Sequence, residues 1–186
     1  MFELYAEVRA AAEPEKAWEI WRAGRDELFR SHTQSPLPPD ARASFGGLPY
    51  FPYDPALRVL AEVEPAEPET REIAGSAGSV TRFRRFAHAR LGEGSLELYW
   101  LEGYGGGVFL PFADATRGRE TYGAGRYLLD TVKGADLGME EGRLVLDFNF
   151  AYNPSCSYDP RWACPLAPPA NRLDFEVRAG ERMLAA

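Results

Sequence analysis

The sequence is poor in the residues that most often declare a chemistry. It holds two cysteines and two histidines. Structural zinc usually takes four ligands of these types, often as closely spaced cysteine pairs. His32 and His88 lie far along the chain from Cys156 and Cys164, so a zinc site would have to recruit Asp114 or Asp147, and no metal is expected. Basic residues are outnumbered, 21 against 28 acidic, leaving a net charge of −7. The basic footprint of a nucleic-acid binder is therefore missing. The short cluster Arg82, Arg84 and Arg85 sits beside apolar residues and reads as a solvated strand face.

Other absences narrow the field further. No apolar run approaches the roughly 18 residues of a membrane span. The opening Met1–Arg9 lacks the positive start and apolar core of a secretory signal. The expectation is a soluble, cytoplasmic protein with no membrane partner. No serine stands in a Gly-x-Ser-x-Gly elbow, and neither the phosphate loop nor the dinucleotide fingerprint occurs, so no cofactor is named by any motif.

What is present suits one domain over residues 1–186. A chain of this length buries about 70% of its unfolded surface, so neither a disulfide nor a metal is required to hold it. The strongest local signal is helical, over residues 14–30. Pro14 suits a first turn, and Ala17, Trp18, Ile20, Trp21, Leu28 and Phe29 recur at helical spacings. Phe2 to Ala12 reads as a shorter preceding helix. Ser35-Pro-Leu-Pro-Pro-Asp40 ends helical structure, because proline cannot continue it. An aromatic loop, Phe45 to Pro55, follows.

Beyond it the period changes to two. Segments 57–63, 80–91, 95–102, 107–112, 126–130, 143–151 and 172–178 read as strands, with a hairpin turn at Gly103-Tyr-Gly-Gly106. Glu62 to Gly78 reads as an exposed loop. The fold class is thus mainly β, α+β by content: an antiparallel barrel or sandwich of about seven strands over residues 45–180, preceded by the helix.

The unusual polar residues crowd into Pro111–Asn171, in three pieces. In the first, Asp114, Thr116 and Thr121 can bond nearby backbone, while Gly118, Gly123 and Gly125 allow close backbone approach. Such a turn can form a nest of N–H groups, with Arg126 at its rim as a bidentate partner for a carboxylate or phosphate. In the second piece, strict alternation would project Asp147 and Asn149 from one strand face, about 7 Å apart. The third, Asn153 to Asn171, is a proline-stiffened loop carrying both cysteines. Packed thiols, a disulfide, or part of a reactive site all fit Cys156 and Cys164, packed thiols being the default.

Three stretches also carry a family resemblance: Pro111 to Leu128, Leu146 to Cys156, and Cys164 to Leu173. With Trp21-Arg22, Arg25-Asp26, Ser35-Pro-Leu37 and Phe45-Gly-Gly-Leu-Pro-Tyr-Phe-Pro52, they resemble the DUF1684 family of bacterial and archaeal proteins of unknown function. The resemblance covers nearly the whole chain and implies both cysteines as family features. The family often has Asp-Phe-Asn-Arg where Phe150 stands here, and Pro-Pro-Cys where this chain has Pro154-Ser-Cys156. It implies where to look and brings no reaction.

Two functions are expected from the tract. In one, residues 111–127, 147–156 and 164–171 enclose a small, anionic molecule. There Arg126 holds the charge; Thr116, Thr121, Tyr122, Asn149, Asn153, Cys156 and Cys164 complete the site, and Asp114 or Asp147 serves as general base if the site is catalytic. In the other, the same residues form a buried hydrogen-bond network with a structural role. A third reading, an interaction patch on Tyr50-Phe-Pro-Tyr53, ranks last.

Overall fold

A computed structural model describes residues 1–92, 94–102 and 106–184. Helix α1 spans Phe2–Ala10 and α2 spans Pro14–Ser31, one residue longer than its sequence signal, with the short α3 at Pro39–Arg42. The strands are β1 (Arg58–Ala61), β2 (Val63–Ala74), β3 (Val80–Leu91), β4 (Gly94–Leu101), β5 (Val108–Phe112), β6 (Arg126–Asp130), β7 (Met139–Glu140) and β8 (Arg143–Asp147). They form an antiparallel five-stranded sheet, β2-β3-β4-β5-β6, and a three-stranded sheet, β1-β8-β7. The architecture is therefore mainly β and antiparallel. The barrel expectation is corrected: among the described residues the five-stranded sheet ends at β2 and β6, and no closed barrel forms.

Successive side chains of a strand point to opposite faces, and the larger sheet buries both. One face carries Leu96, Leu98, Leu110, Phe112 and Leu128, packed with Leu146, Phe148 and Val177. The other carries Phe83, Tyr99, Leu101, Phe109 and Tyr127, and packs with Tyr5, Val8, Trp18 and Trp21 of the helices. Trp21 is fully buried, and its indole N–H donates to the Tyr5 hydroxyl at 3.0 Å, locking α1 to α2. Ala17, Trp18, Trp21 and Phe29 of the expected apolar stripe thus dock α2, while Ile20 lies off the buried face, 37% exposed.

Three local readings change. Residues 62–78 are not a loop: Val63–Ala74 is β2, an edge strand. Edge position tolerates Pro65 and Pro68, which flank the register shift between Pro65 and Glu69. Cross-strand pairs hold it to β3: Glu64 with Arg90, Glu69 with Arg85, Glu72 with Arg82. The strand expected over 143–151 stops at Asp147, whose carboxylate accepts from Asn149 N–H and opens a 3-10 turn at Phe148–Phe150. Asp147 and Asn149 therefore do not alternate along a strand. Residues 172–178 form no strand; they run beside Ala113 and Ala115 through isolated backbone bonds. Residues 103–105 of the predicted hairpin turn at 103–106 lie outside the described residues, although β4 and β5 do pair antiparallel.

Candidate functional site

A cavity of about 530 Å3 opens between α2, the helix-facing side of the larger sheet, and the segment following Tyr152. Leu28, Phe29, Leu101, Phe109, Tyr127 and Trp162 give it apolar walls. Its size falls within the roughly 300–1,000 Å3 usual for small-molecule sites.

Three polar residues of the lining stand out. Asp130 closes β6; its Oδ2 pairs with Lys133 Nζ at 2.7 Å, while Oδ1 is buried without a hydrogen-bond partner among the described residues. Tyr152, bridged to Tyr127 by backbone bonds in both directions, has a buried hydroxyl that likewise lacks one. Burial pushes that phenol well above its ordinary pKa, so it stays neutral and can donate. Asn153 is anchored twice, by its N–H to Glu181 Oε2 at 3.0 Å and by Nδ2 to Arg182 O at 2.9 Å, yet Oδ1 has no partner among the described residues. Arg25 reaches the same cavity from α2 and lies over the Tyr152 ring at 4.8 Å from its centroid. Its Nη2 is paired with Glu181 at 2.7 Å. Residues of the lining thus carry two buried acceptors and one neutral donor without partners among the described residues, beside two ion pairs.

Of the residues expected from sequence, Asn153 and Cys164 line this cavity. Asp114, Thr116, Thr121 and Arg126 form a separate buried cluster. Asp114 Oδ1 accepts from Thr116 N–H (2.9 Å), Thr116 Oγ1 (2.6 Å) and Val177 N–H (3.1 Å), and Thr116 Oγ1 meets Thr121 Oγ1 at 2.8 Å. Arg126 donates to Asp114 Oδ2 at 2.9 Å and to the carbonyls of Val177, Ala179 and Glu181. At 1% exposure it clamps the C-terminal segment, supplying the donors that a neighbouring strand would otherwise provide. Gly125 (φ +97°) makes room: a Cβ there would meet Phe112 O at 2.5 Å and Ala167 Cβ at 2.7 Å.

Asp147 and Asn149 lie elsewhere again. Asn149 Nδ2 donates to Asp147 Oδ1 at 2.8 Å and to Asp54 O at 2.8 Å, tying the 3-10 turn to the aromatic loop. Asp147 borders a second cavity, of about 420 Å3, shared with Arg58 and the α1–α2 connection. Burial raises its carboxyl pKa, with the Asn149 bonds and Arg58 opposing. Cys156 and Cys164 are free thiols, and Tyr122 OH lies 3.8 Å from Cys156 Sγ. Among the described residues, no group of three or more His, Cys, Asp or Glu is arranged to hold a metal.

Asp130 and Tyr152 were not expected. Asp130 follows four residues that read as an ordinary strand, where an aspartate suggests only its end. Tyr152 resembled another core aromatic.

A family model described as a protein of unknown function, DUF1684, matches residues 43–182. The solution NMR structure of an uncharacterized protein from Haloarcula marismortui is 35% identical, with a TM-score of 0.61, covering 90% of this chain and 93% of that one. No curated protein matches.

Proposed function

This chain belongs to the DUF1684 family, and we propose that it binds a small, neutral organic molecule in the cavity beneath α2. One observation carries the reading: Asp130 Oδ1, Tyr152 OH and Asn153 Oδ1 are buried without partners among the described residues, and all three residues line that cavity. Each unpaired buried polar atom costs about 1–3 kcal/mol, against a total domain stability of about 5–15 kcal/mol. A ligand with two hydroxyl or amide donors, one acceptor oxygen and an apolar body would complement all three. The aspartate, lysine and arginine side chains bordering the cavity are already matched, Asp130 to Lys133 and Arg25 to Glu181, so these side chains call for neither a net anion nor a net cation. This replaces the anionic ligand expected from sequence, which rested on Arg126; its guanidinium is engaged with Asp114 and three carbonyls.

The structural reading suits the other cluster. Asp114, Thr116, Thr121 and Arg126 satisfy one another and the C-terminal segment, and nothing there asks for a ligand or a general base.

Three probes with one aromatic body test the proposal by calorimetry: tyrosol (neutral), tyramine (cationic) and para-hydroxyphenylacetate (anionic). Tyrosol is expected to bind most tightly, and Tyr152→Phe to weaken it about tenfold, a single hydrogen bond's worth. Preference for the carboxylate, or equal binding by the variant, would overturn it.

A further inference from the structure

Cys156 and Cys164 have no part in the reading above, yet they are neighbours held from different sides. Cys164 is buried and fixed to the β2–β3 connection: its N–H donates to Ser76 Oγ at 2.8 Å, and its carbonyl accepts from Ser76 N–H at 2.9 Å. Ser76 Oγ is in turn oriented by donating to Trp162 O at 2.9 Å. Cys156 lies half-buried in the 3-10 turn Ser155–Ser157, with its backbone N–H directed at Cys164 Sγ, 3.3 Å away.

Their proximity shifts the ionisation of the two thiols in opposite directions. The hydrogen bond from Cys164 is the main influence on Cys156, whose pKa falls to about 6, with Ser76 and Tyr122 assisting against burial. The same bond, reinforced by burial, drives Cys164 the other way. Cys156, the more exposed of the two, is therefore the thiol more readily ionised, and buried Cys164 the one that more readily keeps its proton. A thiolate that is accessible and adjacent to a second thiol is the arrangement of redox-active cysteine pairs.

We propose that Cys156 and Cys164 form a peroxide-reactive dithiol, in which Cys156 is the attacking sulfur and Cys164 resolves the product as an intramolecular disulfide. The Cys156 thiolate attacks one oxygen of hydrogen peroxide; the S–O bond forms, the O–O bond breaks, and the departing hydroxide takes up a proton to become water. Sulfur loses two electrons and peroxide gains them. Cys164 sulfur then attacks the sulfenic sulfur: the S–S bond forms, the S–O bond breaks, and hydroxide leaves with the Cys164 proton as a second water. The half-buried setting of Cys156 favours this small oxidant over a bulky disulfide. The proposal is independent of whether the cavity holds a ligand, although Cys164 lines its wall.

The full-length protein, treated with hydrogen peroxide and mapped without reduction, tests it. Both thiols are expected to disappear together, giving a linked Cys156–Cys164 peptide pair that dithiothreitol restores. In Cys164→Ser, dimedone is expected to label Cys156. Should that variant fail to fold, the wild-type protein still decides: at neutral pH iodoacetamide should modify Cys156 at least about tenfold faster than Cys164. Independent over-oxidation without a linked pair, an intermolecular disulfide, dimedone at Cys164, equal alkylation rates, or two surviving thiols would each overturn the proposal.

Discussion

Arg25 on α2 and Glu181 near the C-terminus form an ion pair of 2.7 Å with both side chains buried. Glu181 also accepts from Asn153 N–H at 3.0 Å and from the Tyr158 hydroxyl, so one carboxylate ties together the helix, the segment after Tyr152 and the C-terminal segment. Removing one partner of a buried pair leaves an uncompensated charge, which costs about 3–5 kcal/mol. Arg25→Met should lower the chemical-denaturation midpoint accordingly. The double variant Arg25→Met/Glu181→Gln should lose less than the single one, because no charge is stranded.

The same reasoning applies more sharply to Asp114 and Arg126, each 1% exposed. Asp114→Ala strands a buried guanidinium and should cost about 3–5 kcal/mol. Thr121→Val removes only the hydroxyl bonded to Thr116 and should cost about 1–3 kcal/mol. Equal denaturation midpoints for the two variants would contradict the central role given to Arg126.

Tyr152→Phe should behave in the opposite way. Its hydroxyl is buried without a partner among the described residues, so deleting it removes a desolvation penalty and no internal bond. Thermal denaturation of the unliganded variant should match the wild type or exceed it by up to about 1 kcal/mol. A clear loss of stability would mean that the hydroxyl has an internal partner.

Asp147 gives the protein a pH-dependent component of stability. Burial raises its pKa in the folded state above the ordinary carboxylate value. The folded chain therefore holds this proton to higher pH than the unfolded chain does. This contribution is fully present below the unfolded pKa and is lost as pH rises through the folded one. Asp147→Asn lacks the titration, so its stability relative to wild type should improve as pH rises across that window. Denaturation series from about pH 3 to about pH 7 bracket the ordinary carboxylate range; parallel curves would refute the assignment.

Helix α2 was legible in the sequence because an apolar stripe is a property of residues three and four apart, and Ala17, Trp18, Trp21 and Phe29 bury the face it predicts. Strands β3 and β4 were legible by the same kind of local period. Strand β2 was not: its glutamates are polar on both faces, and only arginines on β3, distant in sequence, make it a strand. The polar tract divides in the same way. Its composition announced buried polar chemistry, but Arg126 could be read equally as a ligand anchor or as a clamp. That choice belonged to the carbonyls of Val177, Ala179 and Glu181, over fifty residues away. Asp130 and Tyr152 acquire their interest only because folding leaves Asp130 Oδ1 and Tyr152 OH without a partner among the described residues. Periodicity is written along the chain; the partner of a buried polar atom is set by residues that meet only when the chain has folded.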